Sequence, residues 1–243
     1  MLILEDYLLL TLDDVTGKHV VDSSYVQQAA AGALLVELAL LGRVDLAGDG
    51  NGGRLGRIVV RDASPTGSAL LDDALAVVRS REGSKPKALI GPVAKIKPAD
   101  TALAGLAVRG ILRREDGRVL GIFPTTRWPA ADSRHEDAVR GDLWRVLVDG
   151  AAPDERTGAL VALLAATSQT SRVLAAGGTR GAPPVTDGGR SWTLGERRAV
   201  DKRARELAKS SWAGDATRAY VQEIAAATMA AVGPVVVTSA ASG

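Results

Sequence analysis

The chain has 243 residues, 46% of them hydrophobic but only 3% aromatic, with no Cys, two His and a formal charge of +2. A core this poor in aromatics is built from Ala, Leu and Val, which suits close helix packing better than a β-sandwich. Zero Cys excludes disulfides, Cys-ligated zinc, iron–sulfur clusters and thiol nucleophiles, and two His leave little room for a His-based metal site or a Ser–His–Asp machine.

Leu2 to Leu12 is a dense apolar run, and Glu5 and Asp6 near its start suit the positive end of a helix. Asp13, Asp14 and Gly17 mark a turn. Ser23 or Ser24 caps a helix from Tyr25 to about Leu41, closed by Gly42, with Leu34, Leu35, Leu38 and Leu41 at helical spacing. Arg43 to Leu46 and Arg57 to Arg61 read as short strands. Ser64-Pro65 reads as the start of a helix carrying Leu70, Leu71, Ala74, Leu75 and Val78 on one face. A helix from Asp100 to Arg109 ends at Gly110, followed by Ile111 to Arg114, the turn Glu115-Asp116-Gly117, and Arg118 to Phe123. Helix, glycine and hairpin thus occur twice, as a weak internal repeat. Further helices are expected over Glu136 to Val148, Pro153 to Ala166, Thr193 to Lys209 and Ala216 to Ala231, with a Gly/Pro-rich loop at Gly177 to Gly189.

Few motifs carry chemistry. Gly48-x-Gly50-x-x-Gly53 has the letters of a dinucleotide loop, but a strand follows it where a phosphate-binding helix is needed. Asp13/Asp14 and Asp72/Asp73 are adjacent pairs, and neighbours in sequence do not face each other on a helix, so neither is a preset acid–base dyad. His135, between Arg134 and Glu136, reads as a surface residue. The segment Phe123 to Pro129 sets the only Phe and one of four Trp beside Arg127. Trp128 there suits a membrane or partner surface, or folds back to close the core. Arg198, Lys202, Arg205 and Lys209 fall along one helical stripe, either a solvated face or a contact for anionic headgroups or nucleic-acid phosphate.

No run approaches the roughly 20 apolar residues of a membrane span. Glu5 and Asp6 stand where a signal peptide carries Lys or Arg, so a cytoplasmic chain is expected. No convergent set of catalytic residue types is visible, and the expectation is a protein that is not an enzyme, with no catalytic residues, cofactor or metal.

Several blocks match a known family in order. Leu4-Glu5-Asp6-Tyr7-Leu8-Leu9-Leu10 and Leu34 to Arg43 resemble the opening of the Golgi phosphoprotein 3 (GPP34) family. Asp62 to Leu75, with Pro65-Thr66-Gly67, resembles its most distinctive stretch, and the Gly110 hairpin, Thr125-Thr126-x-x-Pro129 and Pro153-x-x-Arg156-x-x-Ala159-Leu160 continue the match. The Ala- and Arg-rich usage looks like a bacterial, actinobacterial-type member. The resemblance implies a mainly α fold: a single domain over residues 1–232, a central helical bundle ringed by amphipathic helices with two small hairpins, then a tail at 233–243. It also implies a peripheral membrane adaptor that binds phosphatidylinositol 4-phosphate or another anionic headgroup, at the inner face of the plasma membrane in a bacterium.

Run without gaps from Gly17, the match puts Asp22 and Ala31 where the eukaryotic pocket has a Trp and an Arg. The headgroup candidates are Arg127, Arg134 and Arg140, with Phe123 and Trp128 as the membrane or partner contact on the hairpin. Expected partners are an anionic membrane lipid, a protein client and further copies of the chain. A winged-helix-like nucleic-acid module is the alternative, weakened because the helices before both hairpins are mostly Ala and Leu.

Overall fold

Ala, Leu and Val make up most of the helix Val26–Leu40, and a helix this apolar is stable only when it is largely enclosed. In the computed structural model, which describes residues 1–21, 25–48, 54–119, 122–176, 192–210 and 212–232, this helix is the hub. Labelled in chain order, the helices are α1 (Ile3–Leu10), α2 (Val26–Leu40), α3 (Ala69–Arg79), α4 (Lys87–Ala94), α5 (Pro98–Val108), α6 (Arg134–Leu147), α7 (Glu155–Ala166), α8 (Thr170–Ala176), α9 (Leu194–Leu207) and α10 (Asp215–Val232). α2 packs against α1, α3, α4, α5, α7 and α10. Small residues let these axes approach closely. A Cβ on Gly32 of α2 would collide with the Thr228 hydroxyl of α10, and one on Gly158 of α7 with the Trp212 ring. With its length buried, α2 has no face left for a nucleic-acid groove.

Two antiparallel hairpins sit outside the bundle. β1 (Val44–Leu46) pairs with β2 (Ile58–Val60), and β3 (Glu115–Val119) pairs with β4 (Phe123–Arg127). Gly42 and Gly110 precede them with φ of 66° and 74°, left-handed conformations that end α2 and α5. The fold is therefore mainly helical with two small hairpins, as expected.

Three local expectations fail for physical reasons. Glu115-Asp116-Gly117 is not a turn but part of β3, facing Thr125 to Arg127. The Asp116 carboxylate that would have closed a turn accepts instead from the Thr126 hydroxyl at 2.9 Å and from Arg114 at 3.1 Å. Pro65 does not start a helix either. Asp62 accepts from the Ser64 N–H at 2.8 Å and from Arg43, while the Thr66 N–H and hydroxyl both donate to Asp72 at 2.7 Å. That latch holds Pro65 to Gly67 in a turn, and α3 begins only at Ala69. The Asp62–Asp72 stretch is thus a structural clasp. Finally, α4 and α8 were not foreseen. Pro92 interrupts the pattern of α4, which is held by buried Leu89, Ile90 and Val93, and α8 is a seven-residue helix with only Val173 and Leu174 as large apolar residues.

The tail at 233–243, the loop at 177–189, Gly50 and Gly53, Ser23, Ser24 and Asp22 lie outside the described residues. Among the described residues, no helix is long and apolar enough to cross a membrane.

Candidate functional site

The predicted cations do not come together. Arg140 is 6% exposed. Its guanidinium donates to Glu136 through Nε at 2.9 Å and Nη2 at 2.6 Å, to the Leu10 carbonyl at 3.4 Å, and to the Val173 carbonyl. Leu10 and Val173 lie in the last turns of α1 and α8, where helix carbonyls lack partners of their own. Arg140 therefore belongs to the interior, where it caps two helices and cannot meet a headgroup. Arg134 is fully out in solvent but clamped to Asp132 through Nε at 3.0 Å and Nη2 at 2.6 Å. That contact pushes the Asp132 carboxyl down to about 2. Arg127 is exposed at the end of β4, opposite Glu115. Phe123 opens β4, and its side chain lies outside the described residues.

Burial pushes the Glu136 carboxyl up to about 7 against the pull of Arg140, with Asp14 raising it further. A folded-state pKa above the unfolded value of about 4.5 means Glu136 supports the fold most below about pH 4.5. That contribution fades as pH rises through about 7. Urea melts of wild type beside Glu136→Gln should show the wild-type advantage shrinking between pH 4.5 and 8. A pH-independent difference would remove this account.

The acidic residues near the start are also structural. Asp6 is 3% exposed and accepts from Arg156 at 2.8 Å while meeting His135 Nε2 at 2.7 Å. Glu37 accepts from the Ile3 N–H at 2.5 Å and Arg156 at 3.3 Å, and Glu5 pairs with Arg109. His135 is thus tied to the interior and is not a free surface residue. Leu-Glu-Asp, Glu-Leu-Ala-Leu and Pro153-x-x-Arg156 each supply one pole of a shared ion-pair network around α1.

A different cation set surrounds a cleft of about 680 Å³ between the α1–α2 loop, α5 and the β3–β4 hairpin. After α1, Asp13 accepts from the Thr16 N–H at 2.7 Å and its hydroxyl at 2.8 Å, forming a tight turn. Gly17 follows with φ 62°, pressed so closely on the Trp128–Pro129 backbone that a Cβ there would collide with it. The Trp128 N–H donates to the Gly17 carbonyl at 2.9 Å and the Ala130 N–H to that of Asp14 at 3.0 Å. The loop is thereby stapled to the foot of the hairpin, and Trp128 is half-buried against the core. Of the two open readings of Trp128, folding back onto the body is the one seen.

Lys18, His19, Arg114, Thr125, Thr126 and Trp128 line this cleft. Lys18 is exposed and makes no ion pair among the described residues. The Arg114 guanidinium lies 5.9 Å from the Trp128 ring centroid, a cation–π arrangement that fixes it at the rim. Asp116 also holds it, at 3.1 Å. His19 Nδ1 is buried with no hydrogen-bond partner among the described residues, and burial holds the imidazole pKa below its usual value. Asp100, the acid on this wall, accepts from Gln27 at 2.8 Å. Two cations, two hydroxyls and an indole around a hollow suit an anionic, hydroxyl-bearing group. Sequence reasoning missed Lys18, His19 and Arg114. The available signal was Lys18-His19 directly after a Gly turn, holding one of only two His in the chain.

Comparison with known proteins agrees with the order of these blocks. The family model described as Golgi phosphoprotein 3 (GPP34) matches residues 3–224. The chain is 28% identical over 165 residues to vacuolar protein sorting-associated protein 74 of Eremothecium gossypii, an alignment covering 60% of this chain and 49% of that protein. It thus spans about half the length of that curated relative. With the clasp at Pro65–Gly67, the network around Asp6 and Glu37 and the hairpin after Gly110 all falling inside the matched span, the chain belongs to the GPP34 family.

Proposed function

We propose that this protein is a non-enzymatic peripheral membrane adaptor that captures anionic lipid headgroups, phosphoinositides among them, in the cleft beneath the β3–β4 hairpin. The observation that carries this reading is exposed Lys18, without an ion pair among the described residues, sharing the lining of that hollow with Arg114 and Trp128. A phosphate entering it gains charge-assisted bonds from Lys18 and Arg114, while a sugar or inositol ring meets the Thr hydroxyls and the indole. Exposed Arg127, between Thr126 and Trp128 in the chain, adds a weaker electrostatic contact. Membership of the GPP34 family and a relative named for vacuolar protein sorting support an adaptor role at a membrane.

Co-sedimentation tests the reading. The protein should pellet with phosphatidylcholine vesicles doped with phosphatidylserine or phosphatidylinositol 4-phosphate, less so as salt rises, and stay in the supernatant with phosphatidylcholine alone. Equal pelleting on all vesicles, or none on any, would overturn it.

A further inference from the structure

α9 carries three acids, and each is engaged locally. Glu196 accepts from the Thr193 N–H at 2.6 Å and its hydroxyl at 2.8 Å, closing a capping box. Asp201 accepts from the Ser171 N–H and hydroxyl at 3.0 Å each, and Glu206 meets Lys202 at 3.8 Å. The cations are not matched in the same way. Arg198 and Arg205 are exposed with no ion pair among the described residues, and so is Lys209 in the turn beyond the helix. At about 100° per residue these three and Lys202 fall within roughly 60° of one another, on the side opposite buried Val200 and Ala204. Five cations against three locally engaged acids thus leave this helix a cationic stripe roughly 16 Å long.

A second observation lies beside it. Trp144 of α6 and Trp192, just before α9, meet edge to face with centroids 5.8 Å apart. With Leu147 and Val200 they line a cleft of about 450 Å³ between α6 and α9. Between cleft and stripe, Gly195 and Ala199, both small and exposed, open a crossing over the first half of the helix, while Glu196 on the cleft wall is held in the capping box and Glu206, further along, by Lys202.

We propose that the α6–α9 surface docks an acidic protein segment, which inserts one bulky apolar side chain into the cleft walled by Trp144, Trp192, Leu147 and Val200 and lays carboxylates along Arg198, Lys202 and Arg205. An aromatic-lined slot flanked by Arg is the pattern of a protein–protein anchor site. A bilayer offers a flat anionic plane that would meet the stripe and leave the slot empty. The edge-to-face indoles leave no parallel pair of faces for a nucleic-acid base to enter. This surface is built on other elements than the Lys18–Arg114 cleft, so the two readings stand or fall separately.

The test is selection from a random-peptide phage library on the full chain, followed by fluorescence anisotropy with the selected peptide in labelled form. Selected sequences should combine Asp or Glu with a Leu, Phe or Trp. Reversing the exposed charges in Arg198→Glu/Lys202→Glu/Arg205→Glu should weaken binding about tenfold or more, since close charge pairs carry such energies. Ala199→Tyr, which keeps every cation, adds no charge and blocks the crossing, should weaken it as well, while Lys18→Glu should not. Circular dichroism melts confirm that the variants fold. The proposal is overturned if no acidic consensus emerges, or if either α9 variant binds the peptide as wild type does. It is equally overturned if charge reversal abolishes only binding to phosphatidylserine vesicles or to duplex DNA.

Discussion

Replacing Arg140 with Ala should cost about 3–5 kcal/mol of folding stability at pH 8, read as a lowered urea midpoint, because removing one partner of a buried pair strands the other. Glu136 would be left 3% exposed without its cation, and the Leu10 and Val173 carbonyls would lose their donor. Glu136 can escape part of that cost by taking a proton, which its raised pKa already favours. The loss should therefore be smaller at pH 5 than at pH 8. Arg140→Lys should recover little, since an ammonium cannot reach a carboxylate and two carbonyls in three directions as a guanidinium does. A variant within about 0.5 kcal/mol of wild type, the range of ordinary surface substitutions, would return Arg140 to the surface and to the list of headgroup cations.

Gly17→Ala should be far more harmful than Gly42→Ala, although both glycines have nearly the same φ, 62° and 66°. A Cβ in the left-handed region costs about 1–2 kcal/mol at either site. At Gly42 nothing lies within 4 Å of the added carbon, so only that cost applies. At Gly17 the carbon would strike the Trp128–Pro129 backbone, and forcing backbone apart adds roughly 1–3 kcal/mol. The collision also breaks the staple between the loop and the hairpin, so Gly17→Ala should lose vesicle binding at temperatures where it remains folded. Equal losses of stability for the two variants would mean that the loop and hairpin are not clamped as described.

What the sequence disclosed follows from how each feature is encoded. The apolar run of α2 and the glycines after α2 and α5 are local signals, and they predict the hub helix and both hairpin entries. Asp116-Gly117 is local too, yet its turn was displaced once Thr126 and Arg114 had claimed the Asp116 carboxylate from across the ladder. The site was less legible still. Arg134 and Arg140 look alike in sequence. Their fates are set by Asp132, two residues away, and by carbonyls at Leu10 and Val173, which only folding brings near. Lys18 gave no periodic signal, because its role depends on a loop held by contacts 110 residues further on. Asp6, Glu37, Arg156 and the Arg43–Asp62 clasp, which lie in the blocks that resemble the family, are engaged in ion pairs that hold the fold together.

Vesicle co-sedimentation of Lys18→Glu beside Arg134→Glu decides where anionic lipid is held. Both residues are exposed, so neither substitution should disturb the fold. Lys18→Glu should release the protein from vesicles containing phosphatidylserine or phosphatidylinositol 4-phosphate, and adding Arg114→Glu should deepen the loss. Arg134→Glu should pellet like wild type, because Asp132 already neutralises that cation. Retention of Lys18→Glu on the vesicles together with release of Arg134→Glu would place the headgroup site at the start of α6, and the cleft beneath the hairpin would not be the lipid site.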